Sequence, residues 1–194
     1  MSGETTAEKV ARVLRDKIEV VPYDPRWPAL FEAELRFLRS QFPADLLGRI
    51  EHFGSTAVPG LAAKPVVDML IEVSSLERAR AEMPPILEPL GYDYFWRPSH
   101  GNDGPPWYVW FIKRDAAGQR THHLHCVESH FEHWERLHFR DYLRSHPETA
   151  AEYQALKLRL AAEHAADRVR YTAEKTTFIV ATTRRARAER GTSR

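Results

Sequence analysis

A single cysteine, Cys126, stands in 194 residues, so neither an intramolecular disulfide nor a multi-cysteine zinc site is available. That fits a reducing compartment. No apolar run is long enough to cross a bilayer. The opening stretch MSGETTAEKVARVLRDKIEV lacks the apolar centre of a signal peptide, and a cytoplasmic protein is expected. A dominant charge sign is also missing: 28 Lys and Arg face 27 Asp and Glu, for a net charge of +1. Such a balance makes no field for a polyanion, so no nucleic-acid or membrane partner is predicted. Internal repeats and low-complexity linkers are absent too.

What is present is ordinary for a globular domain. Hydrophobic residues make up 43% and charged residues 28%, and the length favours one domain with a core that needs no staple. In YDPRWPALFEAELRFLRSQF a turn at Asp24-Pro25 leads into a helix with Leu30, Phe31, Leu35 and Leu38 on one face. LLGRIEHF reads as a short strand entering Gly54. KPVVDMLIEV reads as a strand buried on both faces, started by Pro65. Ser74 or Ser75 caps a helix that Pro84-Pro85 interrupts and that ends near Gly91. YDYFW, PPWYVWFIKRD and RTHHLHCVE follow as strands, the last two joined by a hairpin at AAGQ. From Glu128 the pattern is helical, with Ser145, Pro147 and Glu148 marking one helix start and Asp167 capping the last helix. Tyr171, Lys175, Phe178 and Thr182 form that helix's stripe. The order argues for an α/β or α+β sheet domain with C-terminal helices.

Chemistry concentrates in FGSTAVPGLAAKPVVDML, Phe53 to Leu70. Gly54 permits a sharp turn and a close backbone approach. Ser55 and Thr56 add hydroxyls and N–H groups suited to a phosphate. Asp68 lies on the buried strand, where an unpaired carboxylate is costly. A return through the intervening loop would set it across from the Gly-Ser turn, placed for a magnesium ion bridging to phosphate. Lys64 could add positive charge nearby. A structural turn with one stray acid satisfies the same pattern.

In THHLHCV, strand alternation puts His123 and His125 on one face and His122, Leu124 and Cys126 on the other. With Asp68 on a nearby strand, the first pair suits a two-His, one-carboxylate metal site, phosphate contacts or general acid–base chemistry. Hydrogen-bonded histidines with no ligand are the plain alternative. His130 and His133 in SHFEHWERLH lack the Glu beside the first His that a zinc-protease helix needs and read as helix-surface residues. WYVWF suits core packing, or stacking on a base. Among the basic residues Arg140, Arg144, Lys157 and Lys175, Lys175 is the strongest candidate for a phosphate contact.

The Gly-Ser pair followed a dozen residues later by a strand Asp resembles the nucleotidyltransferase superfamily. The fuller string EHFGSTAVPGLAAKPVVDMLIEV, with VVPYDPRWPALFEAE, THHLHCVE, FRDYLRSHPETAAEYQALKLRLA and DRVRYTAEKTTFIVA, resembles one branch of it, the GrpB family of bacterial proteins. The resemblance runs from Ile18 to Arg185. It leaves residues 1–17 as an extension and 186–194 as a basic tail expected to be disordered. It implies a nucleotidyltransferase-like mixed sheet flanked by helices, with C-terminal helices. The implied activity is transfer of a nucleotidyl group from a nucleoside triphosphate to a small acceptor, with Mg2+ or Mn2+. Asp68 would ligate metal with His123 or His125, the pair matching the family's His-Leu-His pattern, while Gly54, Ser55, Thr56, Lys64 and Lys175 would hold phosphate. Related domains fused to dephospho-CoA kinase point to nucleotide or coenzyme metabolism. One departure bears on this. Active members of the superfamily carry a second acid two residues after the first, and that position here is Leu70. Glu72 shares the face of Asp68 but lies about 13 Å along the strand, too far for one ion. A degenerate module that binds a nucleotide or other phosphorylated ligand, or a different enzyme using His123 and His125, fits the same residues.

Overall fold

A computed structural model describes residues 5–15, 18–99 and 104–192. In chain order the helices are α1 (Thr6–Arg15), α2 (Trp27–Gln41), α3 (Leu76–Glu82), α4 (Pro84–Leu87), α5 (Arg136–Ser145), α6 (Pro147–Glu163) and α7 (Arg168–Thr192). The strands are β1 (Leu47–Phe53), β2 (Val67–Val73), β3 (Tyr92–Pro98), β4 (Trp107–Arg114) and β5 (Arg120–Val127). The class is mixed α/β, as the element order predicted. The chain divides into two compact units where one domain had been expected. A sheet unit comprises residues 24–57 and 66–134, and a helical unit comprises residues 1–23, 58–65 and 135–194.

In the sheet unit the strand order is β1-β2-β5-β4-β3. The pair β2–β5 is parallel and the other three pairs are antiparallel. Strand β2, VDMLIEV, lies inside the sheet, which explains its nearly continuous apolar run. Directly opposed residues share a face. One face therefore carries His52, Met69, His122, Lys113 and Tyr92, and the other carries Phe53, Asp68, His123, His125, Trp110 and Arg97.

Helix α2 covers the first of these faces. Phe31 stacks on His52 at 5.0 Å, and Phe37 stacks on Tyr92 at 6.4 Å. The expected apolar stripe is only half right. Phe31 and Leu38 are buried, but Leu30 is 44% exposed. Glu34 is buried instead, accepting a hydrogen bond from the Tyr92 hydroxyl and pairing with Lys113 at 2.5 Å. A buried carboxylate on a helix is invisible to hydrophobic periodicity, because its partners lie on strands about 60 and 80 residues away. Ser75 caps α3 by accepting from the Arg78 N–H, and Gly91 closes the segment at φ +87°.

In the helical unit, Val58, Leu61, Leu143 and Tyr153 form one core cluster, and Ile18, Leu160 and Tyr171 form a second. The 58–65 segment is held by a Val21–Ala63 bridge and by the Ala62 N–H donating to Gln154 Oε1 at 2.7 Å. Two boundary expectations are corrected. Ser145 does not cap α6; its hydroxyl donates back to the Asp141 and Tyr142 carbonyls and finishes α5. Pro147 does open α6, behind His146. The basic stretch from Ala186, expected to be disordered, continues α7 to Thr192, while Ser193 and Arg194 lie outside the described residues. Asp167 caps α7 as expected, accepting from the Arg170 N–H at 2.9 Å. Among the described residues no helix is long and apolar enough to cross a membrane.

Candidate functional site

The second sheet face gathers most of the residues that the sequence singled out. Phe53 pairs with Asp68 across β1–β2, and Asp68 pairs with His123 across β2–β5. One residue beyond Phe53 the chain turns at Gly54, with φ +72°. A Cβ placed there would lie 2.4 Å from Asp68 Oδ2, far inside van der Waals contact. Gly54 is therefore required twice: for the left-handed backbone, and for the space its missing side chain leaves to the carboxylate.

His123 Nδ1 lies 2.9 Å from Asp68 Oδ1, and Arg120 Nη1 lies 3.5 Å from His123 Nε2. A guanidinium only donates, so Nε2 accepts and the imidazole proton sits on Nδ1, where it donates to Asp68. One strand step on, His125 packs edge-on against Phe53 at 5.1 Å and parallel to Tyr108 at 5.6 Å. Asp68, His123 and His125 each present a ligand atom, and these atoms lie within 4.8 Å of one another. Asp68 keeps 27% of its side chain exposed and His123 13%. The acid is held by β2 between the two flanking strands, and the imidazoles by alternate positions of β5.

As a donor set, two imidazole nitrogens and one carboxylate would suit Mn2+, Fe2+ or Zn2+, whereas Mg2+ favours an all-oxygen shell. A ligating His123 would give up its contact to Arg120 or to Asp68 at the nitrogen it uses. Leu70, where the superfamily pattern has its second acid, is completely buried. Glu72 turns its carboxyl towards Gly48, at the opposite end of β1 from Gly54. Neither supplies a further acid.

The remaining candidates divide. Ser55 is half-buried in the turn beside Gly54, at the start of a short 3-10 segment. Thr56 is 1% exposed, and its hydroxyl donates to the Val66 carbonyl while receiving His52 Nε2 at 2.9 Å. That hydroxyl ties the turn to the core, and the expectation that it binds phosphate is corrected. Lys64 and Lys175 belong to the helical unit, where their ammonium groups lie 4.3 and 4.2 Å from the Tyr171 ring centroid. Lys157, also in that unit, is buried and donates to the Ala62 carbonyl. Burial, and then the charge of Lys175, lower its pKa to about 7.

One residue near the triad was misread, and the face shared by two aromatics went unread. His133, expected on a helix surface, is 2% exposed and packs against Tyr108 at 4.6 Å and His125 at 5.9 Å. The period-two alternation of WYVWF could have shown that Tyr108 and Trp110 share one face. The pairing of β4 with β5 makes that face the histidine face. Trp110 lies 5.3 Å from His123 and 6.0 Å from His125, centroid to centroid.

The sequence model described as "GrpB protein" matches residues 17–185. The chain is 40% identical over 149 residues to UPF0157 protein YqkA of Bacillus subtilis, covering 76% of this chain. It is 41% identical over 161 residues to UPF0157 protein PA4798 of Pseudomonas aeruginosa, covering 82% of this chain. It spans 41% and 64% of the lengths of those two relatives. The crystal structure of conserved protein GrpB from Enterococcus faecalis superposes with a TM-score of 0.75 at 33% identity, over 87% of this chain and 96% of that one. A dephospho-CoA kinase of Mycolicibacterium paratuberculosis is 29% identical over 168 residues, which are 75% of this chain and 40% of that protein. Matched over residues 17–185 in sequence and sharing the fold of a solved relative, this chain belongs to the GrpB family.

Proposed function

We propose that this chain binds a divalent cation of the Mn2+ class at Asp68, His123 and His125, and uses it to transfer a nucleotidyl group from a nucleoside triphosphate to a small acceptor. The observation that carries this reading is the convergence of three ligand atoms within 4.8 Å on two adjacent strands. The bound cation would neutralise phosphate charge as an acceptor oxygen attacks the α-phosphorus and pyrophosphate leaves. The chain's own share is positioning. Gly54 brings the turn against the acid, and Ser55 lies beside it for a phosphate oxygen. Arg120 and Asp68 hold the His123 ring from its two nitrogens before a cation binds, and a ligating His123 would exchange one of these contacts for the metal. The relative that is a dephospho-CoA kinase supports a nucleotide-related setting.

Leu70 favours a second reading. Its complete burial where another metal acid belongs suits a module that binds nucleotide without turning it over. One experiment separates the two. Wild type and Asp68→Asn are titrated with Mn2+, then incubated with each nucleoside triphosphate, Mn2+ and candidate acceptors while pyrophosphate is followed. Release by wild type and not by Asp68→Asn is the expected result. Nucleotide binding with no release in either protein supports the binding module, and no nucleotide binding defeats both readings. Wild-type Mn2+ affinity retained after His123→Ala with His125→Ala would remove the histidines from the ligand set.

A further inference from the structure

Two groups beside the triad have donors that the described residues do not use. Arg97 lies on β3 opposite Tyr108 and shares the face of Trp110 and His125. Its guanidinium stands 4.7 Å from the Trp110 ring centroid and 5.8 Å from that of Tyr108. Among the described residues it has no carboxylate partner, although it is half-buried. Trp110 is 8% exposed, and among the described residues its indole Nε1–H has no acceptor. A buried donor without a partner carries its desolvation cost uncompensated. This one sits on a ring 5.3 Å from His123.

We propose that Arg97 and the Trp110 indole N–H form a phosphate-binding subsite beside Asp68, His123 and His125. The subsite rests on the metal-site reading for its neighbour but stands on separate residues. Its chemistry follows from its atoms. A guanidinium and an indole N–H are donors with no acceptor capacity, so the group they receive supplies acceptor oxygens. The guanidinium charge makes that group an anion, and its fork matches an oxyanion with paired oxygens. A carboxylate offers two oxygens, and the fork engages both. A phosphoryl group has a third oxygen, which can take the indole N–H while the fork holds the other two. The sheet order sets the layout. Asp68 on β2 and the histidines on β5 lie between the Gly54 end of β1 and the Trp110–Arg97 pair on β4 and β3. The ligand then extends across the sheet from the triad towards β3, with a phosphate at that end.

Calorimetric titration with inorganic phosphate and with pyrophosphate, each with and without Mn2+, tests this on the full chain. Arg97→Gln is expected to weaken pyrophosphate binding by roughly tenfold or more, Arg97→Lys by less, and Trp110→Phe by roughly threefold to tenfold. Mn2+ affinity stays at the wild-type value in all three. Arg80→Gln is the control, because its guanidinium stacks on Trp96 at 4.3 Å on the opposite sheet face, and it leaves anion binding unchanged. Pyrophosphate bound equally by wild type, Arg97→Lys and Trp110→Phe overturns the subsite and leaves the metal reading standing. A wild type that binds neither anion under any condition also overturns the subsite. Wild type that fails to take Mn2+ while pyrophosphate binding still falls in the Arg97 variants defeats the metal reading and supports the subsite.

Discussion

Strand β5 places His122 on one face of the sheet and His123 and His125 on the other, and the two faces treat polar groups differently. On the His122 face α2 delivers Glu34, and the chain satisfies it internally, through the Tyr92 hydroxyl and the Lys113 ammonium. Apolar rings close over the rest, Phe31 on His52 and Phe37 on Tyr92. On the His123 face, donors and ligand atoms are gathered side by side, with Asp68 and His123 hydrogen-bonded to each other. Asp68 stays part-exposed, and among the described residues Arg97 has no carboxylate partner and the buried Trp110 N–H has no acceptor. Polar residues that complete one another are scaffold. Polar residues held beside one another without completion mark the face as the candidate site.

The contrast is open to test, beginning with its largest expected effect. Glu34→Ala removes the partner of Lys113 and Tyr92 and should lower the unfolding free energy by about 3 kcal/mol. Trp110→Phe removes the unpaired donor together with one ring of the indole, so relief of the buried N–H offsets a small cavity and stability should change by no more than about 1 kcal/mol. Denaturant melts of both variants measure the difference, and equal destabilisation would erase the distinction between the faces. Gly54→Ala comes next. An L side chain at φ +72° costs about 1–2 kcal/mol, and its Cβ would also push Asp68 away. Mn2+ affinity should therefore fall along with stability. Lost stability with unchanged affinity would show that the close approach of Gly54 to Asp68 is not needed for the site.

Much of this was legible in the sequence, and the parts that were not share a physical cause. Period-two alternation put His123 and His125 together, and the Gly-Ser turn put Gly54 beside Asp68 before any coordinates. Both are local patterns whose consequence is one strand pairing away. Glu34 was not legible, because a carboxylate on an apolar stripe looks like a breach of the pattern until Tyr92 and Lys113 are seen across from it. His133 was not legible either. Its burial depends on Tyr108 and Phe131 rings that converge only after β4 has paired with β5. The division into two units was hidden for a similar reason. Residues 58–65 interrupt the sheet unit and join helices formed by residues after 134, a contact across most of the chain that no local spacing records. Trp110 was read correctly as a packed aromatic, but its unused N–H is visible only once its surroundings are known.

The smallest expected effect lies in the pH dependence of the covered face. Burial is the largest influence on His122 and holds its pKa below the ordinary histidine value; the Glu34 carboxylate opposes this, and the Lys113 and His123 charges reinforce it. With the folded pKa lowered, the unfolded chain binds more protons than the folded one between that value and the ordinary value near 6.5. Stability then rises with pH across that window and levels off above it. Read downwards, the contribution of neutral His122 is complete above about pH 6.5 and is lost as pH falls through the folded pKa. Replacing His122 with Gln removes the titrating group and should flatten this part of the profile of melting temperature against pH. The change should be modest, because Glu34, Lys113 and the other histidines continue to titrate. An identical profile in wild type and His122→Gln would show that the covered face does not hold this histidine neutral.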